Sequence, residues 1–230
     1  MTDSIPTGCA PVDDLLGGGF ERGTVTQVYG PPAAGKTNLA LGATVETVAG
    51  GERALYIDTE GLSIDRFEQL ARARAGDEGV DGLASRVMIS EALDFEEQAE
   101  AVRDAADVAS GVDLVVLDSA TGFYRLERGS DDEGETLRKV VRQVTHLLSL
   151  ARRYDLAVVI TNQVFTDPEG DRARPLGGHT LTHWSGAVVR LERFRGGNRR
   201  ATLEKHRSKA AGATARFRIA EEGLVAAEEP

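Results

Sequence analysis

"VTQVYGPPAAGKTNLALGATVETVAG", residues 25–50, decides the fold. A strand-like run stops at Gly30. The next eight-residue pattern, "GPPAAGKT" (30–37), is G-x-x-x-x-G-K-[ST], and helical spacing then runs from Lys36 to Gly50. Strand, phosphate loop and helix follow in the order a nucleotide site needs. The glycines allow a tight turn that aims backbone N–H groups at phosphate oxygens, and the helix presents its positive end. Gly30, Pro31, Pro32, Ala33, Ala34, Gly35, Lys36, Thr37 and Asn38 are therefore expected to cradle ATP. Lys36 would bridge the β- and γ-phosphates, and the Thr37 hydroxyl would ligate Mg²⁺.

Outward from this loop, strand-like and helix-like segments alternate. "RALYIDTE" (53–60), "RVMIS" (86–90), "VDLVVLDS" (112–119) and "LAVVITNQ" (156–163) read as strands. "DRFEQLARARAG" (65–76), "FEEQAEAVRDAADVAS" (95–110) and "ETLRKVVRQVTHLLSLARRY" (135–154) read as helices. Such alternation with near-continuous apolar strands implies an α/β fold: a mainly parallel sheet flanked by helices. After residue 185, "GAVVRLERF", "RRATLEKH" and "TARFRIAE" predict an antiparallel extension of the same sheet. The expectation is one domain over residues 1–230.

In an open parallel sheet, ligands gather at the carboxyl ends of the strands. Three strands here end in polar residues. Asp118 closes "LVVLDS", where it would hold Mg²⁺ with Thr37. "YIDTEG" offers Asp58 and Glu60 as carboxylates able to polarise an attacking water. "TNQ" offers Asn162 or Gln163 as a sensor of the γ-phosphate, with turn chemistry an open alternative for Asn162.

Composition narrows the setting. Net charge is −10, and Lys36, Lys139, Lys205 and Lys209 are the only lysines. A carboxylate-rich, lysine-poor surface suits a salt-rich cytosol, where self-repulsion is screened. No apolar run is long enough to cross a bilayer, and the first residues lack the pattern of a signal peptide. The single cysteine, Cys9, precludes an internal disulfide and fits a cytoplasmic protein.

Residues 8–60 and 112–190 resemble the RecA-type recombinase family. The carrying motifs are "TGCAPVDDLLGGGFERGTVTQVYGPPAAGKTN", "YIDTEG", "LVVLDS", "VVITNQV" and "GGHTLTHWSGAVVRLER". Their order looks like archaeal RadA, and most closely like its short paralogue, over the whole chain. The resemblance implies a RecA-like core, with Glu60 as catalytic glutamate, Arg66 stacking on adenine and Gln163 coupling the γ-phosphate to DNA. It places a first DNA loop at 122–134 and a second at 165–179. Phe165, Arg172 and Arg174 are the candidate contacts to single-stranded DNA, and a solvated loop is the competing reading. The sequence departs from the full-length recombinases in lacking an N-terminal DNA-binding domain and an upstream Phe-x-x-Ala tether. Phe217 to Ala220 fits that pattern by chance, inside a predicted strand. Asp131, Asp132 and Glu133 would repel phosphate in the first loop. The implied role is an accessory to RadA in recombination and repair, with weak ATPase activity and little strand exchange. The alternative is a ring-forming regulatory ATPase of the KaiC or DnaB type; the absence of an arginine-rich lid disfavours a small-molecule kinase.

One stretch opposes the acidity. Residues 190–209 carry eight Lys or Arg and two Glu. For Arg190 to Arg200, a solvated strand face and a DNA surface stand equally. Lys205 and Arg207 are two apart, so a strand would project both from one face, with His206 opposite. Their spacing resembles a Lys and Arg that, in DnaB and KaiC, reach a neighbouring subunit's ATP. They are therefore expected at an ATP interface with another copy or with RadA.

Overall fold

The computed structural model describes residues 4–123, 133–166, 173–175 and 178–227. Its strands are β1 (Ser4–Ile5), β2 (Phe20–Glu21), β3 (Val25–Tyr29), β4 (Ala54–Asp58), β5 (Val87–Glu91), β6 (Leu114–Asp118), β7 (Ala157–Asn162), β8 (Val164–Thr166), β9 (Ala173–Pro175), β10 (Ala187–Arg193), β11 (Asn198–Lys205), β12 (Thr214–Ile219) and β13 (Leu224–Ala226). Its α-helices are α1 (Ala10–Leu16), α2 (Lys36–Ala49), α3 (Ile64–Arg72), α4 (Gly79–Ala84), α5 (Phe95–Val108), α6 (Glu133–Tyr154) and α7 (Gly178–Trp184).

Nine strands join in the order β13-β12-β11-β10-β3-β7-β6-β4-β5. From β10 to β5 every pairing is parallel, and from β10 to β13 every pairing is antiparallel. The expected parallel core and antiparallel extension are both present, and the extension gains a fourth strand, β13. The central strands are buried on both faces, which is why they read as unbroken apolar runs. Successive residues alternate between two cores. Leu114, Val116 and Val159 face α1 to α4, whereas Val115, Leu117 and Ile160 face α5, α6 and α7. Phe217 is fully buried in the first core, so the Phe-x-x-Ala match is a packing feature of β12.

This topology sorts the functional residues by end. β3, β4, β6 and β7 run parallel, so Gly30, Asp58, Asp118 and Asn162 meet at one edge. β11 runs the other way. Arg199 lies at its phosphate end, paired with Arg193, and Lys205 lies about 20 Å away at the other end. β11 stops at Lys205, one residue earlier than the sequence pattern suggests, so strand alternation does not extend to Arg207.

Candidate nucleotide site

The loop between β3 and α2 is shaped by two close constraints. A Cβ on Gly30 would come within 2.4 Å of the Leu191 carbonyl oxygen, so only glycine lets the loop lie against β10. Gly35 caps α2 at φ 104°, a left-handed conformation that costs glycine little. Helix α2 then starts at Lys36 with no side chain capping its first turn. Its free N–H groups are left for an anion.

Lys36 is buried, and its amine donates to the carbonyls of Gly30 at 3.1 Å and Pro31 at 3.3 Å. Burial lowers its pKa, against the opposing pull of Glu60 and Asp118. Asp118 ends β6 almost wholly buried. Tyr56 donates to it at 2.7 Å, and Thr161 and Thr37 donate as well. Burial raises the Asp118 pKa, while these three hydroxyls hold it down. Thr37 and Asp118 are thus joined directly. A hydroxyl and one carboxylate beside a phosphate loop suit Mg²⁺, which takes few protein ligands and completes its shell with phosphate and water. Among the described residues no group of three or more His, Cys, Asp or Glu could hold a metal alone.

The two carboxylates of "YIDTEG" have different work. Asp58 accepts the backbone N–H groups of Glu60, Gly61 and Leu62, so it closes the turn and is not available to a water. That turn presents Glu60. Ser119 Oγ donates to Glu60 Oε1 at 2.8 Å, and Gln163 Nε2 donates to the same oxygen at 2.9 Å. The two amides also separate. Asn162 is buried and accepts from Thr121 at 2.6 Å, whereas Gln163 faces the cleft. Pro32, Ala33, Gly35, Lys36, Thr37, Asn38, Glu60 and Gln163 line one cleft of about 280 Å³.

Arg66 flanks this cleft through Asn38, whose Oδ1 it meets at 2.8 Å. Its other N–H groups reach Gln69 and the carbonyls of Ala220 and Glu221. With its in-plane donors engaged, the guanidinium is fixed as a flat platform, the form needed to stack on a base. Sequence reading missed Tyr56, Thr161 and Ser119, which position Asp118 and Glu60. Each lies within a quoted motif, but only the strand register shows what it touches. It also missed Arg199, whose side chain lies over Gly35 and donates to the Ala33 carbonyl at 3.4 Å.

Other expected residues lie elsewhere. Phe165 and Arg174 face each other in the β8–β9 pair; their side chains lie outside the described residues, as does Arg172. Residues 124–132 of the expected first loop, with Asp131 and Asp132, are likewise outside them, and Glu133 begins α6. Lys205 and Arg207 do not line the cleft of their own chain. Lys205 donates to the carbonyls of Thr182 and His183, and Arg207 pairs with Glu21 at 2.6 Å.

Comparison with known proteins identifies the family and the fold. The family model described as Rad51 matches residues 2–227. The DNA repair and recombination protein RadB of Halobacterium salinarum is 63% identical over 226 residues, covering 97% of this chain and 95% of that protein. RadB of Archaeoglobus fulgidus is 43% identical and covers 96% of this chain and 97% of its own length. The crystal structure of the RadB recombinase aligns with a TM-score of 0.83 at 36% identity, covering 97% of this chain and 100% of that one. The acidic, lysine-poor composition fits the Halobacterium relative.

Proposed function

The chain belongs to the Rad51 family, and on that premise we propose that it is an ATP-binding accessory protein of DNA repair and homologous recombination. It acts beside the recombinase RadA on single-stranded DNA, turns over ATP slowly and performs little strand exchange. The observation that carries this reading is the Glu60–Gln163 hydrogen bond beside Lys36. It links the phosphate corner to the segment that leads into β8.

The residues divide the work as follows. The first N–H groups of α2 take the β-phosphate, and the Lys36 amine exchanges its loop carbonyls for phosphate oxygens. Thr37 and Asp118 would hold Mg²⁺, which supplies neutralising charge to the phosphates. Glu60 accepts a hydrogen bond from the attacking water and orients it. Gln163 is free to leave Glu60 for the γ-phosphate, so the start of β8 senses which nucleotide is bound. The Arg66 platform takes the base.

Retention of RadA on the immobilised protein, at high KCl with and without ATP·Mg²⁺, tests the role. ATP-dependent retention, weakened by Gln163→Ala, is expected. No retention in either condition would remove RadA as the partner.

A further inference from the structure

Helix α7 has only seven residues, too few for stability in isolation. Leu181 is its one side chain buried completely among the described residues. Its C-terminal carbonyls would be unsatisfied without outside donors. Ser185 Oγ donates to the Leu181 carbonyl at 3.0 Å. Lys205 Nζ crosses from the end of β11 and donates to Thr182 at 2.8 Å and His183 at 3.2 Å. A cation there also matches the negative end of the helix. Burial lowers the Lys205 pKa, in keeping with an amine drawn against the helix end.

The position of α7 gives this cap a consequence. The segment beginning at Gln163 is tied to Glu60 at its start and runs into α7. We infer that Lys205 is a positioning residue: it pins α7 as the fixed post at the far end of the nucleotide-sensing segment. Gln163 is then the end that moves with the nucleotide, and α7 the end that does not. The effect on DNA rests on the function proposed above; the pin itself does not. Its neighbours follow the same pattern. Arg207 ties the 205–209 stretch to β2, and Lys209 donates to the carbonyls of Asp14 and Leu15 at the end of α1.

Trp184, the only tryptophan, ends α7 and is 39% exposed, so its fluorescence reports this helix alone. The test is acrylamide quenching of Trp184 with no nucleotide or DNA, in Lys205→Met, Lys205→Arg and Lys209→Met. Lys205→Met keeps the stem without the donor, and quenching should rise about twofold as α7 opens locally. Lys205→Arg, which can still donate to both carbonyls, should stay near the parent. Lys209→Met removes an equal charge from α1 and should leave Trp184 unchanged. ATP affinity should be the same in all three, while affinity for single-stranded DNA should fall only in Lys205→Met. Parental quenching in Lys205→Met would overturn the inference. So would equal changes in the Met and Arg variants, or in Lys209→Met. Parental quenching with loss of ATP-dependent association would instead assign Lys205 to a neighbouring subunit's nucleotide.

Discussion

At the phosphate end of the sheet, Lys36 bonds to carbonyls five and six residues away in its own loop. Glu60 there offers one oxygen to both Ser119 and Gln163. At the other end, Arg207 pairs with Glu21 and Lys209 with Leu15, across 186 and 194 residues. Both ends carry charge, but their cations differ in reach: Lys36 bonds within its own loop, whereas Arg207 and Lys209 join distant segments. Bonds within a short loop can be exchanged for a ligand with little disturbance elsewhere. Bonds between distant segments hold the tertiary structure, and breaking them loosens whatever they join. Charge density in the sequence therefore marks both a site and a clamp. For the cations, contact range separates them; the site's carboxylate is also reached from afar, by Gln163 across 103 residues.

Changes at the phosphate end should alter chemistry more than stability. Glu60→Gln should leave ATP binding intact and lower steady-state hydrolysis by about a hundredfold or more. Hydrolysis at the parental rate would assign Glu60 to holding Ser119 and Gln163, not to orienting water. Gly30→Ala is the exception at this end and should cost stability as well, because its Cβ would meet the Leu191 carbonyl oxygen at 2.4 Å. Overpacking of this kind costs about 1–3 kcal/mol. Urea unfolding should show that loss, and ATP affinity should fall with it. A stable variant with parental affinity would mean the loop can leave β10 freely.

Changes at the far end should do the reverse. Arg207→Ala removes a partly exposed ion pair, so unfolding at low salt should register a loss of about 1 kcal/mol or less. The loss should shrink as KCl rises, because salt screens exposed pairs. ATP affinity should not change. Lys209→Ala should produce the smallest effect, read at Cys9. This thiol is fully buried where α1 begins, and burial pushes its pKa up to about 11, so it is protonated and shielded at pH 8. Loosening α1 should modestly speed its reaction with a disulfide reagent at that pH. An unchanged rate would show that Lys209 does not hold the helix.

Much of the phosphate end was legible because each of its parts is a short local pattern in the sequence. Gly30 to Thr37 is one continuous loop, and Asp118, Glu60 and Gln163 follow apolar strands whose ends a parallel sheet brings together. The far end was harder to read. Lys205 and Arg207 look alike as a spacing pattern, but β11 stops at Lys205, and the two residues go to α7 and β2. No periodicity encodes partners 22 and 186 residues away. Helix α1 was missed although Pro11 near its start and Gly17 past its end are ordinary boundary signals. Its seven residues are too few to show a clear period. Asp58 illustrates a finer limit. Sequence offered it and Glu60 as equals, and only the three backbone N–H groups it accepts show that it builds the turn.

The most direct test of the contrast is a calorimetric titration of ATP·Mg²⁺ into three proteins: the parent, Lys36→Ala, and the Arg207→Ala/Lys209→Ala double variant. The parent and the double variant should bind alike, and Lys36→Ala should lose binding, because its amine is the cation held beside Thr37 and Asp118 without a carboxylate hydrogen bond. Parental affinity in Lys36→Ala would contradict the account, as would loss of binding in the double variant while it remains folded.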